Sequence, residues 1–354
     1  MEQALRVTWG NPSATHGPGR AARTLLEESR AAVMTALGAN NGALIFTSGG
    51  TEADNQALRG AALSGRRRGK HIISSAVEHD AVLKTLAELS AQGFDVTLLS
   101  PDEFGRIPVS AVEEALREDT VLVSLMLVNN ETGAVSDIPG VKELLRRRGS
   151  GAVLHTDAVQ AFCKLPFRPR DLGADLITLS SHKIGGPKGA GALWIREGLR
   201  LPPLLFGGGQ EGGLRSGTEA MPAIAGFGAA ARAAEAPEKT LEHSLRLRKT
   251  LSEALPEAAI VGGGSEVCAP HICSVSFPGA RAEVLQNWLD SQGVCVSRGS
   301  ACARGRRSHV LTALGLPTAV IDGTLRISFS PDTTEEEVLT FARLALEAKQ
   351  RFFR

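Results

Sequence analysis

The run Leu176-Ile-Thr-Leu-Ser180-Ser-His182-Lys183, followed by Ile-Gly-Gly-Pro-Lys-Gly, carries a lysine off an apolar strand into a glycine-rich turn. A lysine so placed can form a Schiff base with an aldehyde cofactor, while Ser180 and His182 just ahead of it can bind a phosphate. An ordinary surface lysine fits the same local pattern. The preceding apolar strand, Leu154-His-Thr-Asp157-Ala-Val-Gln160, ends in an acid. Burying that acid is costly unless it meets a cation. The protonated ring nitrogen of pyridoxal phosphate would be one, and a helix N-cap role for Asp157 is the alternative. Taken together, Asp157 and Lys183 make one consistent pyridoxal phosphate site.

Three further clusters surround this pair. Phe46-Thr-Ser-Gly-Gly50-Thr51-Glu-Ala runs from a strand through two glycines into a helix start, where free N–H groups favour an anion. It lacks the dinucleotide fingerprint, and a plain strand–helix turn reads the same way. Gly207–Thr218 sets Arg215, Ser216 and Thr218 among many glycines, which suits close approach to phosphate or a merely flexible loop. In Ser297-Arg-Gly-Ser300-Ala-Cys302-Ala-Arg304-Gly-Arg306-Arg307 the cysteine has small neighbours, and three arginines follow it. That setting implies an exposed, mobile thiol in a positive field that favours thiolate, with an inert, incidental cysteine as the alternative.

The elements that must position these residues alternate. Strand-like runs at Ala43–Thr47, His71–Ser75, Asp95–Ser100, Thr120–Val128, Ala152–Thr156, Asp175–Ser180 and Ala190–Ile195 are separated by helical periods. Such alternation predicts an α/β fold, a mostly parallel sheet covered on both faces, with ligands beyond the C-terminal strand ends. Gly38 marks a helix C-cap, and Ser110-Ala-Val-Glu113 and Thr334-Glu-Glu-Glu337 read as capping boxes. After Thr218 the texture changes to an α+β pattern with strands at His271–Phe277, Val294–Ser297 and Thr324–Ser330. The expected division is a large cofactor domain over 15–240 and a small domain over 241–354, joined by 1–14, which carries the Cys302 loop.

Composition narrows the function classes. Thirty-nine Lys+Arg against 38 Asp+Glu leave a net charge of +1, which argues against direct nucleic-acid or membrane binding through bulk charge. No apolar run reaches the length of a membrane span, and the N-terminus has no signal pattern, so a cytoplasmic chain is expected. Five cysteines fit no disulfide framework. Cys268, His271 and Cys273 lie on an alternating, strand-like segment and read as buried structural residues, so no metal site is expected.

These motifs together resemble the cysteine desulfurases, fold-type I pyridoxal phosphate enzymes of the class V aminotransferase group. The similarity runs from Gly10-Asn-Pro-Ser-Ala-Thr-His16 through Val77-Glu-His79, Val128-Asn-Asn130-Glu-Thr-Gly133, the Ser-Ser-His-Lys run, Leu-Arg-Ser-Gly-Thr218 and Gly299-Ser-Ala-Cys302 to Leu325-Arg326-Ile-Ser-Phe. Gly-Ser-Ala-Cys is the element that separates desulfurases from the rest of the group.

The resemblance implies a large domain with a seven-stranded sheet and a smaller C-terminal domain. It gives Lys183 as the Schiff-base lysine, His79 as the imidazole stacked on the cofactor, Asp157 as the partner of the ring nitrogen and Gln160 as that of the ring hydroxyl. Gly50, Thr51, Ser180 and His182 would hold the phosphate, and Thr218 would reach the phosphate of a second subunit in a homodimer. Asn130 would line the cofactor and, with Arg326, bind the substrate carboxylate. Cys302 would take sulfur from L-cysteine as a persulfide, releasing L-alanine, and pass it to a protein acceptor for iron–sulfur cluster, thio-cofactor or tRNA biosynthesis. The family's upstream Ala-Thr-Thr loop has no counterpart before Gly10. This implies a substrate site open on one side or completed by a partner chain, or a weakly active or scaffolding relative. The Cys302 loop is short and arginine-rich, and Ser330-Pro-Asp replaces a Gly-Arg of some relatives. A selenocysteine lyase or another cofactor-dependent lyase is the alternative enzyme.

Overall fold

The computed structural model describes residues 1–264, 267–299 and 307–353. One unit comprises Met1–Leu99, Val109–Leu127 and Asp137–Glu235, and the other Ser100–Pro108, Val128–Ser136 and Ala236–Arg354. Residues 1–14, expected with the second domain, group with the first unit instead. The cause is a short helix that the sequence reading did not foresee, α1 (Glu2–Arg6), which buries Ala4 and packs against α8 (Met221–Ala233).

The first unit is built on a seven-stranded sheet of β1 (Ala43–Thr47), β2 (His71–Ser75), β3 (Asp95–Leu99), β4 (Thr120–Ser124), β5 (Val153–Asp157), β6 (Leu176–Ser180) and β7 (Gly191–Ile195). Their order is β1-β7-β6-β5-β4-β2-β3. β2 to β6 run parallel, while β7 is antiparallel to both its neighbours, β6 and β1. β1 therefore points the same way as the parallel set. β2, β4, β5, β6 and β7 are buried along their whole length, as continuous apolar strands covered on both faces should be, whereas β3 at the edge is half exposed.

Helices cover the faces. α2 (Gly17–Leu37) packs on α8. It starts at His16, whose ring accepts from the Gly19 N–H, and ends at the left-handed Gly38, the expected C-cap. α3 (Gly50–Gly65) packs on α4 (Asp80–Ala91) and over β4 to β7. α5 (Val109–Ala115) begins one residue before Ser110, so the capping box expected there does not form. Glu113 instead accepts from Arg147 and Arg148, at the end of α6 (Ile138–Arg147). The strand expected over Thr120–Val128 ends at Ser124, although the N–H groups of Leu125 and Leu127 still bond to the carbonyls of His155 and Asp157. A single turn, α7 (Pro169–Leu172), leads into β6.

In the second unit β8 (Ala259–Val261), β9 (Ile272–Ser276) and β10 (Thr324–Ser328) form an antiparallel sheet in the order β10-β9-β8. α9 (Pro237–Ala254), α10 (Ala282–Ser291) and α13 (Glu335–Phe352) surround a core containing Leu247, Leu251, Phe277, Leu285, Leu289 and Phe341. Two short helices, α11 (His309–Ala313) and α12 (Thr318–Asp322), precede β10. The strand expected over Val294–Ser297 reduces to one bridge, in which Ser297 and Arg326 exchange both backbone hydrogen bonds. The Thr334 capping box forms as read: Thr334 accepts from the Glu337 N–H, and Glu337 accepts from the Thr334 N–H. Cys268, His271 and Cys273 are buried, and burial pushes the Cys273 thiol up to about 11. Among the described residues no helix is long and apolar enough to cross a membrane.

Candidate active site

Because β1, β2, β5 and β6 point the same way, the residues that follow them share one edge of the sheet. Asp157 is the last residue of β5, and Ser180 is the last of β6. A 3-10 turn over Ser181–Ile184 then carries His182 and Lys183, and it closes on Gly185, whose φ of 79° suits a residue without a Cβ. His79 follows β2 and caps α4, its Nδ1 accepting from the Ala81 N–H at 3.1 Å. That bond places the proton of the neutral ring on Nε2.

Behind β1, α3 starts at Gly50 with Gly49 as N-cap, so no side chain caps its first turn. A Cβ on Gly50 would lie 3.0 Å from Val159 Cγ2 and 3.7 Å from Ser180 Cβ, which shows how closely this helix start approaches the ends of β5 and β6. Gly191 meets the Gly49 backbone so tightly that a Cβ there would come within 2.5 Å of it.

The electrostatics divide this edge into two halves. In one, Asp157 is 6% exposed, and one carboxylate oxygen accepts from the Val159 N–H at 2.9 Å. Burial pushes its pKa up, while the Val159 bond, His79 and Lys183 pull it down. Lys183 and His79 thus act on the same carboxylate, and the N-cap alternative for Asp157 holds only for its bond to Val159. In the other half Ser180 Oγ lies 2.8 Å from His182 Nδ1. Burial and the positive charges of Lys183, Lys164 and Lys188 hold His182 below its usual range. Lys164 itself is lowered to about 8 by burial and by Lys183. An uncapped helix start, a hydroxyl, an imidazole and several ammonium groups form a donor set suited to a phosphate.

The glycine-rich loop is not a free flap. Glu211, at φ 50°, takes a bidentate contact from Arg30 at 2.7 and 3.0 Å and also accepts from the Phe46 N–H. Arg215 bonds Glu52 at 2.8 Å, and Glu52 accepts from the Ser48 N–H. The loop is therefore pinned to β1 and to the first turn of α3. Thr218 is exposed, and Gln160 is half buried three residues beyond Asp157.

In the second unit Arg326 donates to the Asn130 carbonyl at 3.0 Å, and its Nε is buried without a hydrogen-bond partner among the described residues. Burial lowers its pKa, and the Glu131 carboxylate opposes that shift. Ser308 donates to Glu131. Cys302 lies outside the described residues.

The Aminotransferase class-V family model matches residues 1–341. The chain belongs to the cysteine desulfurases of this family. It is 42% identical to "Putative cysteine desulfurase IscS 1" of Bacillus subtilis (strain 168), over 97% of this chain and 92% of the relative. A solved "NifS-like protein" superposes with a TM-score of 0.92 at 36% identity, covering 99% of this chain and 94% of that one. A second, "SspA in complex with cysteine", gives 0.82 at 34%, covering 94% of each. These relatives make the chain an enzyme of the desulfurase type.

The sequence reading missed Asp54, His155, Glu211 and Glu52. Asp54 could have been found as the one acid on the apolar face of α3, among Ala53, Ala57 and Leu58. The partners of Glu211 and Glu52 are remote in the chain and gave no local signal.

Proposed function

We infer that the chain is a pyridoxal phosphate-dependent cysteine desulfurase, and that its cofactor lies at the β5–β6 edge of the first unit. The observation that carries this is the buried Asp157 carboxylate, upon which Lys183 and His79 both act. The residues present fit the group. A buried acid stands ready for a cationic ring nitrogen, a lysine for the aldehyde, and Gly50, Thr51, Ser180 and His182 for the phosphate. When bound, pyridoxal phosphate supplies an electron sink for the substrate Cα.

The rest of the reaction falls to side chains. Asp157 would hold the ring nitrogen in its protonated form, and Gln160 would hold the ring hydroxyl. Lys183 would hold the aldehyde and carry the proton of the substrate Cα. His79 would stack on the ring and assist that proton transfer. Arg326, with an unpartnered Nε, and Asn130 take the substrate carboxylate. The Cys302 thiolate attacks the substrate sulfur. The carbon–sulfur bond breaks, a persulfide forms on Cys302, and the carbon skeleton gains a proton to leave as L-alanine. The relative solved with cysteine supports this substrate. The persulfide then passes to a protein acceptor. Thr218, exposed beyond the pinned loop, serves the phosphate of a second subunit in a homodimer. A cytoplasmic setting keeps the thiols reduced.

Incubating the pyridoxal phosphate-loaded protein with L-cysteine and a thiol reductant tests the assignment. Equal yields of sulfide and alanine are expected, and alanine without sulfide or persulfide excludes it. Cys302→Ala should abolish sulfur transfer; if transfer persists, the enzyme is a lyase that needs no persulfide.

A further inference from the structure

Behind the acid that faces the site lies another that the reaction does not touch. Asp54, 1% exposed, sits near the start of α3. His155 precedes Asp157 by two residues on β5, so both side chains leave the same face of the sheet. The buried His155 ring lies 2.8 Å from Ser124 Oγ through Nδ1. Through Nε2 it lies 3.1 Å from Thr178 Oγ1 and 3.7 Å from Asp54 Oδ1. Thr178, paired with Asp157 in the β5–β6 register, also draws the pKa of the Asp54 carboxyl down. Ser124, His155 and Thr178 thus form a polar chain, with the Asp54 acid beside its imidazole. Asp54 Oδ1 itself has no hydrogen-bond partner among the described residues.

Of the groups that act on Asp54, Thr178 favours an anion and the neighbouring acids oppose one. Asp157 and Glu78 both repel negative charge there. Burial holds Asp54 well above the carboxylate range, and the charge of Asp157 adds to that. Burial raises Glu78, in the turn after β2, to about 8. His155 does not take the proton, because burial lowers it to about 3. Asp157 differs in that His79 and Lys183 act on it and pull its pKa down. A dry carboxylate with an unpartnered oxygen is costly, whereas a neutral acid leaves only a carbonyl-like acceptor unpaired.

We propose that Asp54 is a positioning residue that stays protonated, so that Asp157 alone presents negative charge to the ring nitrogen of the cofactor. This rests on the pyridoxal phosphate reading above. An ionised Asp54 would place a second charge in the same dry layer. Asp157 would then relieve the repulsion by taking a proton, and it could no longer hold a protonated ring nitrogen.

Infrared spectroscopy of the pyridoxal phosphate-loaded enzyme at neutral pH reads this directly, because a protonated acid and a carboxylate absorb at separate frequencies. Asp54→Asn should remove a protonated-acid band that Glu78→Gln leaves in place. A spectrum unchanged in Asp54→Asn, or a Glu78→Gln enzyme with no protonated-acid band, overturns the proposal. The Glu78→Gln arm decides even if Asp54→Asn does not fold. Equilibrium dialysis gives a second reading. Asp54→Asn copies the neutral acid, so it should bind pyridoxal phosphate within about twofold of the wild type, and a loss of about tenfold overturns the proposal. A wild-type chain that binds no pyridoxal phosphate refutes the cofactor reading instead, while the infrared bands of the unloaded chain still report on Asp54.

Discussion

At the scale of residues, the buried titratable groups tie stability to pH. Glu78 titrates at about 8 in the folded chain, against an ordinary value of 4.5. Between these values the folded chain keeps a proton that the unfolded chain has released, so stability falls as pH rises from about 4.5 to about 8 and then levels off. His155 titrates at about 3, against 6.5. Below about 6.5 the unfolded chain takes up a proton that the folded chain refuses, so stability also falls as pH drops. Between about 4.5 and 6.5 the two slopes oppose one another, so urea midpoints measured from pH 5 to 9 should decline above about 6.5, and Glu78→Gln should lessen that decline and steepen the rise below about 6.5. Asp157 and Lys183 stood out in the sequence because one ends an apolar strand and the other follows one by three residues, placements that strand burial alone does not explain. Asp54 was legible only as an acid on an apolar helix face, and its pairing with His155 was not, since that depends on how α3 lies across β5 and β6.

At the scale of elements, long-range clamps matter more than propensity. Glu211 joins the glycine-rich loop to Arg30 and to the Phe46 backbone. Glu211→Ala would leave a largely buried guanidinium and a buried N–H without their partner, and a loss of roughly 3 kcal/mol or more is expected in urea unfolding. Removing a helix cap is milder: Thr334→Ala breaks the capping box of α13 and should cost about 1 kcal/mol by the same measurement. Both strand errors arose where extended backbone continues without a full ladder, after Ser124 and around Ser297. Hydrophobic alternation registers an extended chain, whereas a strand also needs a partner along its whole length. The Ser110 box failed for a related reason, because Glu113 found better partners in Arg147 and Arg148.

At the scale of the whole molecule, the charge balance governs solution behaviour. A formal charge of only +1 at pH 7 gives little mutual repulsion between copies. Turbidity at low salt should peak slightly above pH 7 and clear on moving two units either way. The alternating layout of the first unit was readable from periodicity, and so was the change of texture toward the second. The excursions at 100–108 and 128–136, which join the second unit, were not, because no shift in composition marks them. The reversed direction of β7 was equally hidden, and it has a practical consequence. The segment bearing Lys183 is anchored at both ends, by β6 going out and by β7 coming straight back. A circular permutant opened between Pro187 and Lys188 would retain every strand yet leave its amine on a one-ended tether, separating the architecture of the scaffold from the aim of its nucleophile.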